Sequence, residues 1–391
     1  MSLVRSAPCM AVNTKVVLIY PLFLFLLLFS LACESASAKT KETLRILTWE
    51  GYVTKNDLTA VNSLLDEQGY LYEAKVISPL SEGAEQMFDL IRGEKADITF
   101  LTLFFIKMMN EQTSKLLQTI NTESPRLSNY KHLLPSLTSL PMGMQYANDS
   151  SGIGSPLYIP WGGGAYGFYV NRNKVSEVDT PKSVKDLWSQ KWKGKFSLNA
   201  PQEWYNIGLA FMSMGKSPFH LHDLVLSGNR NEIIQSMRKS SSLQKSLNQL
   251  YANAGQFWNS SPEFNNDLLI VSSWGPEITR ENNAGGNWKM VDFEEGHMVW
   301  LDTINFVKGL SGKKLEAAEI FANYFIGKTV QDRIVNELSM VAASSLVKNE
   351  SGLGDATRIF KENMFVPPYD SISYSIMGRM TNTAKKHIVT H

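Results

Sequence analysis

The order of local patterns over residues 44–101 restricts the fold more than any other feature of this chain. Leu44-Arg45-Ile46-Leu47-Thr48-Trp49 alternates as a strand does, a polar helix-like segment covers Lys55–Leu65, and Tyr72–Ile77 is again extended. Glu85–Ile91 has the spacing of an amphipathic helix closed by Arg92-Gly93, and Ala96–Leu101 forms a third extended run. A β-α-β-α-β succession predicts right-handed crossovers and a mostly parallel sheet flanked by helices, with ligands bound beyond the carboxyl ends of the strands. The first candidates for contact are therefore Trp49, Glu50 and Tyr52 after the first strand, and Thr102, Phe104 and Phe105 after the third.

Length decides how many such units to expect. Arg5 and Lys15 precede an apolar run from Val16 to Ala32, and Ala36-Ser37-Ala38 supplies the small-x-small pattern of a signal-peptidase site, so residues 1–38 read as a secretory leader. Cys33, in Ser30-Leu31-Ala32-Cys33, is an alternative processing point that would carry a lipid anchor. The 353 residues from Lys39 onward exceed what one core normally holds. Two α/β lobes are expected, with 39–160 plus 300–345 in the first and 161–299 plus 346–391 in the second. The Gly-rich stretch Trp161-Gly162-Gly163-Gly164-Ala165-Tyr166-Gly167 is expected to cross between them as a hinge, since consecutive glycines absorb large backbone changes. Later, Leu268–Ser273 reads as a strand ending at Trp274, and Lys314–Ile326 as a packed helix stopped by Gly327.

Composition removes several functions. Beyond residue 38 the chain carries 36 Lys and Arg against 36 Asp and Glu, which gives nucleic acid no electrostatic footprint. Both cysteines lie in the leader, so no disulfide or thiolate metal site is available after it. His220 and His222 point apart at helical spacing. Gly215-Lys216-Ser217 and Gly327-Lys328-Thr329 resemble phosphate-loop tails, yet Ala210 and Ala322 stand where the motif needs glycine. With no nucleophile elbow, metal-ligand helix or Ser-Lys pair, the chain is expected to be a monomeric binder of a small solute. It is not expected to be an enzyme, to hold a cofactor or to bind a metal.

What remains is aromatic residues mixed with a few carboxylates at predicted strand ends: Trp49, Glu50, Tyr52, Phe104, Trp161, Glu203, Trp274, and Trp300 with Asp302 in Val299-Trp300-Leu301-Asp302-Thr303. A carboxylate beside an indole suits a cation. An ammonium leaving water needs an anionic acceptor, and an aromatic face over it adds about 0.5–2 kcal/mol.

The order of Leu47–Val53, Gly93–Asn110, Ile159–Val170, Asp186–Leu198, Trp274 and Val299–Phe306 resembles the spermidine/putrescine-binding proteins of bacterial ABC importers. The likeness spans nearly all of Leu44–Leu338. It implies a two-lobed type II periplasmic binding protein in which Asp302 holds an inner amine and Trp300 forms a wall. It also implies that Trp49 and Tyr52 supply the aromatic pair of the first lobe, that Trp274 supplies a wall of the second, and that Thr102 and Phe104 stand near one amine end. The second-lobe acidic position falls at Asn199–Tyr205, where Glu203 is the carboxylate on offer. Phe104 lacks the hydroxyl of the Tyr usual in its place, and Met340 stands where a Tyr is usual. The implied partners are a polyamine and a membrane ABC permease. A membrane sensor controlling biofilm or adhesion is an alternative to the permease, and a non-amine solute an alternative to the polyamine. The implied location is the periplasm.

Overall fold

The computed structural model describes residues 40–108, 113–146, 154–349 and 359–388. The leader, its cleavage point and Cys33 lie outside those residues. The succession read from the sequence is present: β1 (Glu42–Leu47), α1 (Lys55–Glu67), β2 (Tyr72–Val76), α2 (Ala84–Arg92) and β3 (Ile98–Thr102) follow in order. At α1, Thr54 and Asp57 close a capping box, which satisfies amide N–H groups that a helix start leaves unpaired. β3 buries four of its five residues because it is enclosed by neighbours, so it shows an apolar run instead of an alternation.

Beyond β3 come α3 (Pro135–Thr138), a small hairpin of β4 (Met144–Tyr146) and β5 (Gly154–Pro156), and then β6 (Ile159–Ala165) and β7 (Gly167–Asn171). The chain continues through β8 (Ser197–Asn199), α4 (Glu203–Met212), α5 (His220–Leu226), α6 (Arg230–Ser236), α7 (Ser242–Asn253), β9 (Gln256–Trp258) and β10 (Ile270–Ser273). It ends with α8 (Pro276–Asn283), β11 (Trp288–Met290), β12 (Val299–Phe306), α9 (Gly312–Phe325), α10 (Lys328–Asn336), β13 (Val341–Ala342) and α11 (Ser371–Ala384).

Two sheets organise these elements. The first has the order β13-β6-β12-β3-β1-β2. In the second, β10-β7-β11 is extended by β8 and β9 through the bridge Phe196–Ile270. Strand directions are mixed, where the element order alone predicts mostly parallel pairing. β1 and β3 run parallel, as do β8 and β9, because helices carry the chain back over the sheet between or before them. β12 runs antiparallel to β3 and β6, and β7 antiparallel to β10 and β11, because those strands enter from the other sheet.

The glycine run does not form the crossing. Gly162, Gly163 and Gly164 sit inside β6, with β12 on one side and β13 on the other. A Cβ on Gly163 would lie 2.4 Å from the Trp300 carbonyl oxygen, so the glycines permit close strand approach, and the chain leaves the first sheet only at Tyr166. The return passage is Val291–Met298, and the Tyr166 N–H donates to the Met298 carbonyl at 2.9 Å, tying the two passages together. Residues Thr43–His391 form one compact unit. No described helix is long and apolar enough to cross a membrane.

Candidate functional site

Asp302 stands mid-strand on β12, 3% exposed, and the strand is buried along its whole length. Its Oδ1 accepts from Thr102 Oγ1 at 2.7 Å, the residue directly opposite on β3, and its Oδ2 accepts from the Tyr52 hydroxyl. Among the described residues no Lys, Arg or His pairs with it. Burial pushes Asp302 up to about 6 from the ordinary carboxylate value, although the hydrogen bonds from Tyr52 and Thr102 pull the other way. Tyr52 in turn is driven well above the usual phenol range, first by burial, then by the charge and hydrogen bond of Asp302, and finally by the charge of Glu277.

Tyr52 is held in place from two directions. The β6–β12 register slips between Asp302 and Thr303, leaving Trp161 as an extra residue on β6. The Trp161 ring packs on Tyr52 at 4.3 Å between centroids and against Phe100 at 5.1 Å. The bulged Trp161 carbonyl accepts from Gln331 Nε2 on α10 at 2.9 Å. From the other side, Arg333 on α10 donates to the Tyr52 carbonyl at 2.7 Å and pairs with Asp57 at 2.8 Å. Trp161, Gln331 and Arg333 were not legible as positioning residues, because a strand bulge and a helix face that converge from far apart in sequence leave no local pattern.

An aromatic series runs outward from this point. Trp49, half-buried, lies 6.5 Å from Phe105, which stands edge-on to Phe104 at 4.8 Å. Phe104 meets Trp204 of α4 at 5.9 Å, joining residues that follow the first sheet to a helix that follows β8. Tyr205 then packs on Tyr166 at 4.7 Å and on Trp274 at 5.0 Å, while Trp274 also meets Trp258 at 5.9 Å. Trp300 is 8% exposed and shares the β12 face of Asp302 by strand alternation. The indole nitrogens of Trp49, Trp204 and Trp300 are buried without a partner among the described residues.

The structure does not gather every expected residue here. Glu50 is exposed in the turn after β1. Glu203 opens α4 and lies against α11, its Oε1 3.8 Å from the Cβ position of Gly378. Burial raises its carboxyl, and the nearby charge of Lys385 opposes that rise. Met340 packs beside Gly162. A surface cleft of about 450 Å³, lined in part by Leu64, Arg126 and Lys328, shares no residue with the cluster around Asp302.

Two sheets flanked by helices are joined by short passages, with a buried acid on the first and an aromatic series running from it toward the second. The chain belongs to the bacterial extracellular solute-binding proteins, whose family model matches residues 134–357. A solved structure of similar fold is the spermidine/putrescine ABC transporter substrate-binding protein of Streptococcus pneumoniae, 17% identical over 89% of this chain and 100% of that one, at a TM-score of 0.64. A putative spermidine/putrescine ABC transporter protein from Listeria monocytogenes is 15% identical over 88% of this chain and 99% of that one, at 0.61. The iron-bound protein HitA of Pseudomonas aeruginosa is 13% identical over 89% of this chain and 100% of that one, at 0.53. No curated protein matches the chain by sequence. By its family the chain is thus an extracellular binder of a solute.

Proposed function

We propose that the solute is a polyamine-like cation, with Asp302 neutralising an ammonium group and Tyr52, Trp300, Trp49, Phe104 and Trp274 covering its methylenes. The observation that carries this reading is the buried Asp302 without a cationic partner among the described residues. A carboxylate taken out of water is stable only when hydrogen-bonded and paired, and Tyr52 and Thr102 supply the first condition alone. An incoming ammonium supplies the second. Fold likeness to two proteins described as spermidine/putrescine transporters supports the same choice, and likeness to an iron-bound protein limits how far fold alone can name a solute.

The test is thermal unfolding of residues 39–391 with putrescine, cadaverine, spermidine, spermine, several amino acids and citrate. Ligand at a hundredfold excess over Kd stabilises the folded state by about 2.7 kcal/mol, so a shift confined to amines is the expected outcome. Asp302→Asn is expected to weaken amine binding by about 3–5 kcal/mol in titration calorimetry, since it removes one member of a buried pair. Unchanged affinity in that variant, or a shift with citrate alone, removes the reading.

A further inference from the structure

Arg333 ties together the loop that carries Tyr52, although 281 positions separate the two residues. Its side chain is 12% exposed, and its guanidinium donates to the Tyr52 carbonyl at 2.7 Å and to the Gly51 carbonyl at 3.2 Å. The same guanidinium pairs at 2.8 Å with Asp57, whose side chain is 6% exposed. Asp57 Oδ2 in turn accepts from the Thr54 N–H at 2.8 Å and from the Thr54 hydroxyl at 2.7 Å, so the far end of the loop is held by the same ion pair. Tyr324 on α9 donates to the other Asp57 oxygen at 3.4 Å. A planar guanidinium with five donors can serve two carbonyls and a carboxylate at once, which a lysine ammonium on a flexible stem does less well.

The opposite face of α10 reaches β6, where Gln331 Nε2 donates to the Trp161 carbonyl and the Trp161 ring packs on Tyr52. One helix therefore fixes the Tyr52 backbone through Arg333 and the Tyr52 ring through the Trp161 bulge. The hydroxyl at the end of that ring is the one that donates to Asp302. Asp57 has a second effect: a lone guanidinium beside this loop would repel an entering ammonium, whereas the Asp57–Arg333 pair carries no net charge.

We propose that Arg333 is a positioning residue for solute capture, clamping residues 51–54 through its pair with Asp57 so that the Tyr52 hydroxyl stays on Asp302 and the carboxylate stays open to an ammonium group. This rests on the amine reading above and adds to it the group that tunes the acid. The Tyr52 hydrogen bond opposes the rise that burial imposes on Asp302, so a loosened Tyr52 lets Asp302 keep its proton to higher pH. Affinity for a cation then falls away at higher pH as well. Opposite Asp302 on β3 and β6 stand Thr102 and Gly162, which do not titrate. Tyr52 and Tyr205 of α4 feel the Asp302 charge, and burial holds both protonated across the neutral range.

Titration calorimetry with putrescine at about pH 6 and about pH 8 tests the assignment in wild type, Arg333→Met, Arg333→Lys and a double variant, Arg333→Met with Asp57→Asn. The ratio of the two affinities cancels any uniform loss of binding. In Arg333→Met the pH 8 to pH 6 ratio is expected to rise about threefold over wild type, with Arg333→Lys in between. The double variant leaves no unpaired buried charge and keeps a capping side chain at α1, so it gives the same comparison if thermal unfolding shows that Arg333→Met alone does not fold. Carboxyl-carbon NMR of the ligand-free proteins, with the Asp302 signal identified by its loss in Asp302→Asn, is expected to show the Asp302 midpoint rising above its wild-type value of about 6 in the same variants. A folded variant whose Asp302 midpoint stays at the wild-type value overturns the Arg333 assignment and leaves the amine reading standing. Absence of putrescine binding by the wild type removes the amine reading, while a raised midpoint in the variants still upholds the clamp on Tyr52.

Discussion

On the proposed function, Asp302 is the residue at which binding and stability oppose each other. Its folded-state value of about 6 lies above the ordinary carboxylate value near 3.9, so the folded state holds this proton more tightly than the unfolded chain does. The resulting stabilisation is fully present below about pH 4 and is lost as pH rises through 6. Two units correspond to about 3 kcal/mol. Ligand-free protein is therefore expected to lose stability between pH 4 and 6, and Asp302→Asn to remove that part of the slope. The variant should also be the more stable of the two at pH 7.5, by about 1–3 kcal/mol, in urea unfolding. Identical slopes in the two proteins would falsify the assignment. Amine affinity should move the opposite way, rising about tenfold per pH unit up to pH 6, because the cation binds the ionised carboxylate. A residue that weakens the empty protein at neutral pH is what a trap for a cation requires: the ligand restores what the lone charge costs.

At the scale of elements, β6 carries two duties that its sequence makes look like one. The run Trp161-Gly162-Gly163-Gly164 bulges at Trp161 to seat Tyr52, and then stays glycine so that β12 can approach. Gly163→Ala is expected to destabilise the fold by about 1–3 kcal/mol, since the added methyl meets a backbone oxygen that cannot move without breaking the strand pairing. Gly162→Ala should cost less, because the nearest atom to its Cβ position is a side-chain carbon of Ile334 at 3.1 Å. Equal midpoints for Gly163→Ala and wild type in chemical unfolding would show that β6 yields more readily than its spacing implies. The three glycines gave a correct signal of an unusual backbone, but close approach and hinge motion ask for the same residue, and only the neighbouring strands separate the two.

For the whole molecule, the passages at Tyr166 and Val291–Met298 are the natural axis of any opening, with Trp204 and Phe104 in contact across it. If the solute is enclosed by closure of two lobes about that axis, small-angle scattering should report a smaller radius of gyration at saturating ligand than without it. Superimposable curves would remove the hinge. Contacts that exist only in the apposed arrangement are what allow a ligand to shift such an equilibrium.

The sequence by itself determined the α/β class and the boundaries of seven elements to within a few residues, and it singled out Asp302, Thr102, Tyr52 and the aromatic residues at strand ends as candidates. These follow from period and position along one segment, which neighbours in the chain are enough to define. The tertiary structure alone decided the direction of β12, the role of the glycines, the seating of Glu203 against α11, and the arrival of Trp161 beside Tyr52. Each of these depends on which strands lie side by side and on a one-residue register shift. Residues 170 to 250 positions apart in the chain come within hydrogen-bonding distance, a relation that no local pattern records.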